Sequence, residues 1–142
     1  MMNPRSSLRK AFGLYEHELN GWLEQALCRV SRLLDVGGND GYFTFGCAAA
    51  FRRLGVKGEI IAFEPQARHV DLLRESIALQ GLLDVRFEIV HALVGREVSE
   101  GTITLDTLPA KDRHHTLIKI DVEGAEVDVI GGAKSWMDAS NE

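Results

Sequence analysis

The sequence is short of several features that define whole classes of protein. It has two cysteines and three prolines among 142 residues, and the cysteines, Cys28 and Cys47, lack a CxxC spacing. We therefore expect buried free thiols rather than a disulfide scaffold or a metal site. No apolar run is long enough to cross a bilayer or to act as a secretory signal, which predicts a cytoplasmic protein without a membrane partner.

Positive charge is also scarce, since 16 lysines and arginines face 21 aspartates and glutamates, for a formal net charge of −5. No basic stripe interleaved with aromatic residues is present, so nucleic acid is not expected as a partner. Hydrophobic residues make up 45% of the chain and charged residues 26%, which is the composition of a globular protein. The length suits one domain with a core of its own.

The most informative stretch is residues 33–45, LLDVGGNDGYFTF, where a short apolar run breaks into three glycines. The residues before the glycines predict a buried strand, and those after Gly41 recur at helical spacing over about three turns. The start of a helix carries unpaired N–H groups and a partial positive charge, which favour a negative or electron-rich ligand fragment. The pattern predicts a ligand-binding loop.

This loop departs from two common nucleotide-binding patterns. Gly37 and Gly41 are four residues apart with Gly38 between them, which does not match the nicotinamide pattern G-x-G-x-x-G, and no lysine follows to make a P-loop. Asp35 stands just before the turn, where a carboxylate would repel a pyrophosphate but could accept hydrogen bonds from a ligand ammonium group. The pattern favours a cationic ligand such as S-adenosylmethionine, although Asp35 could equally be a structural brace of the loop.

A second acid ends the next predicted strand. Glu64 lies 23 residues beyond Gly41, near the spacing at which a carboxylate takes the ribose hydroxyls in a nucleotide-binding βαβ unit. Its alternative role is that of a negative charge at the start of the following helix. We prefer the ribose role because the glycine loop and the acid fit one βαβ unit together.

A third group of acids closes the β-rich run at residues 117–122. Parallel strands separated by helices bring their carboxyl ends to one edge of an open α/β sheet, where ligands bind. We therefore expect the glycine loop, Glu64 and the segment Asp121–Glu126 to converge. Some of these acids have a simpler explanation, because negative side chains are favoured at the start of the helix that follows.

Outside these motifs, an apolar stripe at helical spacing in residues 15–30 predicts a helix that packs on the sheet, within an N-terminal helical segment, residues 1–30. Trp22 lies on the stripe and is assigned to the core rather than to a ligand pocket. Further on, residues 102–105 predict a short edge strand. Asp106 is predicted to cap the irregular stretch that follows it.

Four segments together resemble the FkbM-type S-adenosylmethionine-dependent methyltransferases in order and spacing. They are Asp35–Phe43, Ala62–Pro65, Thr104–Asp106 and, most specifically, Ile118–Glu126, which reads IKIDVEGAE. The resemblance covers roughly residues 33–137. It implies a class I methyltransferase fold, an α/β structure with a Rossmann-like, doubly wound and mostly parallel sheet.

The resemblance further implies S-adenosyl-L-methionine as the cofactor. The residues that it assigns to cofactor binding are Asp35, Gly37, Gly38, Asn39, Gly41, Glu64 and Asp121. Asp121 and Glu123 are the candidate catalytic base or orienting group, and no metal site is assigned. Family members mostly methylate hydroxyl oxygens of sugars or natural products, which implies O-methylation of a small-molecule hydroxyl.

The resemblance also implies that the sheet of this chain has fewer strands than the family's sheet. The family's sheet normally has seven strands, whereas this chain stops after the fourth strand and its helix, so residues 31–142 are expected to form a cofactor-binding domain without its C-terminal part. The open central strand then invites self-association. The alternative function is a non-catalytic module that binds the cofactor or a protein partner. A nicotinamide oxidoreductase is less well supported because the pyrophosphate pattern is missing.

Overall fold

The computed structural model describes residues 17–81, 84–109 and 115–138. The strands are β1 (Arg32–Val36), β2 (Glu59–Phe63), β3 (Arg86–Val90), β4 (Leu93–Val94), β5 (Thr102–Ile103) and β6 (Thr116–Ile120). The helices are α1 (Asn20–Leu27), α2 (Tyr42–Leu54), α3 (Ala67–Gln80), α4 (Glu126–Gly131) and α5 (Lys134–Met137). Short 3₁₀ turns occupy His17–Leu19 and Leu105–Thr107.

Four parallel strands form the main sheet in the order β3-β2-β1-β6, and the sheet of the described residues ends at β6. The chain runs outward from β1 to β2 and β3, then returns to the other side of β1 as β6. The direction of winding therefore reverses between β1 and β6, which is where open α/β sheets bind ligands. The predicted Rossmann-like parallel sheet is confirmed.

Both faces of the sheet are covered, which explains why most residues of β1 and β2 are apolar. Successive side chains of a strand point to opposite faces. One face packs against α1 and α2, and its buried residues are Leu27, Leu33, Cys47, Ala48, Phe51, Ile60 and Val85. The other face packs against α4 and α5, and its buried residues are Leu34, Val36, Ile61, Phe63, Val94, Leu105, Val129, Ala133 and Trp136.

The N-terminal helix differs from its prediction. The described part, α1, reaches the core through Leu27 and the half-buried Leu23. Trp22 is 61% exposed, so its assignment to the core is wrong. Consecutive residues of an α-helix are about 100° apart around its axis, so Trp22, which precedes the inward-facing Leu23, points away from the sheet. Residues 1–16 of the predicted segment lie outside the described residues.

Two further predictions need correction. Cys47 is buried as predicted, but Cys28 is exposed, because it follows the last residue of α1 rather than lying on its inner face. Asp106 does cap a helix, although not the stretch that follows it in sequence. Its carboxylate accepts the backbone amides of Lys134 and Ser135 at 3.0 and 2.8 Å, at the start of α5.

The predicted edge strand at residues 102–105 is shorter than expected, because Leu105 already belongs to a 3₁₀ turn. Its first two residues pair with β4 in a separate two-stranded sheet. Among the residues described, no helix combines the length and the apolar character needed to span a bilayer.

Candidate functional site

The carboxyl ends of the four parallel strands surround a cavity of about 250 Å³. Its lining includes the predicted site residues Gly37, Asn39, Glu64, Asp121 and Glu123. They come from three separate strand ends, so the expected convergence of the glycine loop, Glu64 and the acids after β6 is what the structure has. The cavity lies where the strand order reverses, between β1 and β6.

The glycine loop touches the end of β6 backbone to backbone. Gly37 has a φ of +87°, and a Cβ placed on it would lie 2.1 Å from the carbonyl oxygen of Asp121. A side chain at this position would therefore push the loop away from β6 and open the crevice. Gly41 has a φ of +85° at the start of α2, and a Cβ there would collide with the ring of Phe45.

The backbone N–H groups of this loop donate hydrogen bonds to acceptors within the protein. The N–H groups of Gly37 and Gly38 both donate to the carbonyl oxygen of Phe63 at 3.0 Å, and that of Asn39 donates to Glu64 at 2.8 Å. The Gly41 amide donates to the Gly38 carbonyl at 2.9 Å. These donors pin the loop to the end of β2, so they do not form the open anion cradle that the sequence suggested.

Asp35 is fully buried on the face of β1 that packs against α2. Its Oδ2 accepts a hydrogen bond from the Thr44 hydroxyl at 2.6 Å, and its Oδ1 lies 2.9 Å from the Lys119 ammonium. Burial raises the pKa of the Asp35 carboxyl, and Lys119 and Thr44 oppose that rise. Asp35 does not line the cavity, and its partners lie on α2 and β6, so its contacts in this structure are structural ones.

Glu64 is only 4% exposed, yet it lines the cavity. One carboxylate oxygen accepts the amide of Asn39 at 2.8 Å, and the other accepts the amide of Gln66 at 2.9 Å, just before α3. An ionised carboxylate has about four lone-pair sites, so the protein leaves some of its accepting capacity to a ligand. Glu64 can therefore serve the helix start and the cavity at once.

The acids after β6 are much more open to solvent. The Asp121 side chain is 60% exposed, and its Oδ2 lies 3.8 Å from Lys119. Glu123 is exposed at the cavity rim. Glu126 is different, because hydrogen bonds from its own amide and that of Gly124 lower the pKa of its carboxyl and hold the turn before α4.

This chain is similar to known proteins both in sequence and in fold. The family model "Methyltransferase FkbM domain" matches residues 88–139, which include β6 and the acids after it. The predicted resemblance to FkbM methyltransferases is confirmed. No curated protein matches the chain at a significant level.

A solved structure, methyltransferase FkbM from Methylobacillus flagellatus KT, is similar to this chain in fold. It aligns with a TM-score of 0.60 at 18% sequence identity, over 77% of this chain and 30% of that one. The chain thus spans less than a third of the length of the structure that it matches. At this identity, the likeness concerns the fold.

The candidate site and its surroundings contain residues that the sequence did not single out. His69, in the first turn of α3, lines the cavity, and its Nδ1 lies 3.5 Å from Glu64 Oε1. Phe63, Ala92 and Leu93 give the cavity an apolar wall. Thr44 was overlooked although it is a hydroxyl residue within an otherwise apolar helix face, a pattern that signals a buried polar partner.

Gly38 and Gly41 belong to the loop but do not line the cavity, and both lie against Leu73. A Cβ on Gly38 would touch Ala62 and Leu73, each at 3.4 Å. A second cavity, of about 280 Å³, lies between α1 and α2 and contains none of the predicted site residues. Within the described part of the chain, no three His, Cys, Asp or Glu side chains are grouped so that they could hold a metal ion.

Proposed function

We propose that this chain provides the cofactor-binding part of an S-adenosylmethionine-dependent methyltransferase that methylates a hydroxyl of a sugar or natural-product small molecule. The observation that carries the proposal is the cavity at the reversal of strand order, where the glycine loop, Glu64 and the acids after β6 meet. The FkbM family match over residues 88–139 supports the class of reaction.

The chemistry of the cavity wall fits this cofactor. Glu64 is a buried carboxylate with spare accepting capacity, which suits the two hydroxyls of a ribose. Phe63 and Leu93 supply apolar surface for an adenine ring. Asp121 and Glu123 provide negative charge for the ammonium and sulfonium groups.

The same charges argue against a dinucleotide. A pyrophosphate in this cavity would meet the carboxylates of Asp121 and Glu123. Nor would it find free amides in the glycine loop, because Gly37 and Gly38 donate to Phe63. A nicotinamide cofactor is thus disfavoured by both the charge and the hydrogen bonds of the loop.

In the proposed reaction, S-adenosylmethionine supplies a methyl group made electrophilic by the positively charged sulfur. The protein's own contribution is to align the acceptor hydroxyl with that group. Asp121 and Glu123 stand at the exposed rim of the cavity, where either carboxylate can accept the hydrogen bond or the proton of an incoming hydroxyl.

Isothermal titration calorimetry tests this proposal. We expect S-adenosylhomocysteine and S-adenosylmethionine to bind more tightly than NAD under the same conditions. Tighter binding of NAD would refute the proposal. A methyl-transfer assay with small hydroxyl acceptors then separates an enzyme from a domain that binds the cofactor without turnover.

A further inference from the structure

Lys119 is a charged residue inside a strand that is otherwise uncharged, with the sequence TLIKI. Its side chain is only 15% exposed. An ammonium group so far from water requires partners that compensate for its lost hydration. The partners that the structure gives it therefore indicate why a lysine stands there.

The contacts of Lys119 reach three parts of the candidate site. Its Nζ lies 2.9 Å from Asp35 Oδ1 on β1 and donates to the Gly37 carbonyl oxygen at 2.9 Å in the glycine loop. It also lies 3.8 Å from Asp121 Oδ2, just beyond the end of β6. The ring of Phe43, in the first turn of α2, lies under it at 5.6 Å.

We propose that Lys119 is a positioning residue, which holds the glycine loop and Asp121 at a fixed separation and so sets the width of the cofactor crevice. This inference rests on the proposed function. The loop and β6 are already in backbone contact at Gly37, so a displacement of about 1 Å at this point would reshape the cavity.

A simpler explanation is that Lys119 serves only as the counter-ion of the buried Asp35. A counter-ion would need contact with Asp35 alone. Lys119 also donates a hydrogen bond to the Gly37 carbonyl and lies near the Asp121 carboxylate. The two explanations differ in what happens when both charges are removed together. Without a carboxylate at position 35, a mere counter-ion is no longer needed, but a positioning residue still is.

The test compares Lys119→Met with the double variant Asp35→Asn/Lys119→Met, and Lys57→Met serves as the control. Lys57 is an exposed lysine before β2, at the sheet edge opposite the cavity. Thermal unfolding reports the fold, and calorimetry with S-adenosylhomocysteine reports the site. Lys119→Met should lose both stability and binding, because it leaves a buried carboxylate without a partner.

The double variant decides between the explanations. We expect it to recover most of the wild-type melting temperature and still to bind S-adenosylhomocysteine about 10-fold or more weakly than the single variant Asp35→Asn. Binding within about 2-fold of Asp35→Asn would show that Lys119 is only a counter-ion and would overturn the proposal. Lys57→Met should match wild type in both measurements.

If the double variant does not fold, Lys119→Arg takes its place, because it keeps a positive charge beside Asp35. The guanidinium has a different shape from an ammonium, so we expect an unchanged melting temperature with weakened ligand binding. Wild-type affinity in Lys119→Arg would overturn the proposal. Absence of binding by the wild-type protein would instead remove the proposed function, so the two failures are distinguishable.

Discussion

Asp35 in β1 and Asp121 just after β6 are both close to Lys119, but one is buried and the other is exposed to solvent. Lys119 lies 2.9 Å from Asp35 and 3.8 Å from Asp121. Asp35 is fully buried, whereas the Asp121 side chain is 60% exposed at the cavity. Their places in the strands explain the difference. Asp35 is the fourth residue of β1 and faces α2, whereas Asp121 follows the last residue of β6.

Glu64 extends the comparison, because it also follows the last residue of its strand and lines the cavity. Asp35, inside β1, is bonded to Thr44 and Lys119 within the protein, whereas Glu64 and Asp121, each one residue beyond a strand, line the cavity. The four predictions that follow test this division, from the largest expected effect to the smallest.

Gly37→Ala should be the most damaging change, because it combines a strained φ with a Cβ 2.1 Å from the Asp121 carbonyl oxygen. We expect a loss of about 4 kcal/mol or more in the free energy of unfolding. Gly55→Ala is the matched control, since Gly55 has a φ of +69° with no atom within 4 Å of the added Cβ. That variant should lose about 1 kcal/mol. Equal losses in urea denaturation would mean that the contact with β6 is unimportant.

Glu64→Ala should weaken binding of S-adenosylhomocysteine by about 1–3 kcal/mol, because under the proposed function it removes charged hydrogen bonds to two ribose hydroxyls. Glu75→Ala, at an exposed position of α3, is the control and should bind like wild type. The measurement is calorimetric titration of both variants. If Glu64→Ala is destabilised while its folded fraction binds normally, Glu64 acts only at the helix start.

The pH dependence of stability should report the burial of the Asp35 carboxyl group. Burial raises the pKa of Asp35 above its ordinary value of 3.8, so the folded protein holds this proton more tightly than the unfolded chain. The resulting stabilisation is complete below pH 3.8 and is lost as the pH rises through the folded-state pKa.

Asp35→Asn should therefore remove part of the decline in the free energy of unfolding above about pH 4. Urea denaturation of wild type and Asp35→Asn across a pH series measures the effect. Parallel pH profiles for wild type and Asp35→Asn would contradict the account of Asp35.

The smallest expected effect is a difference in chemical reactivity between the two cysteine thiols. Burial and the charge of Asp35 raise the pKa of Cys47 to about 12, against the opposing effect of Lys119, whereas Cys28 is exposed at the end of α1. We expect iodoacetamide to modify Cys28 in the native protein and Cys47 only in denaturant, as read by mass spectrometry. Native labelling of Cys47 at the rate of Cys28 would show that the layer around Asp35 opens readily.

Features that depend on local periodicity could be predicted from the sequence. The apolar runs of β1 and β2 and the rule that parallel strands end at one edge placed Glu64 and Asp121 at the same site. Features that depend on distant contacts could not be predicted. Asp106 finds its partners at Lys134 and Ser135, 28 and 29 residues away.

The role of Lys119 was hidden for the same reason. Its partnership with Asp35 depends on the register of β1 against β6, which places these two residues directly opposite each other. The exposure of Trp22 likewise depends on which two residues of α1 meet the core, and a short apolar stripe does not specify that choice.

Hydrogen–deuterium exchange with and without S-adenosylhomocysteine tests most directly whether the strand ends form the cofactor site. The account predicts added protection in the glycine loop, in the turn after Glu64 and in the segment Asp121–Ala125, where the cavity lies. Protection centred instead on α1 and α2, which line the second cavity, would contradict it.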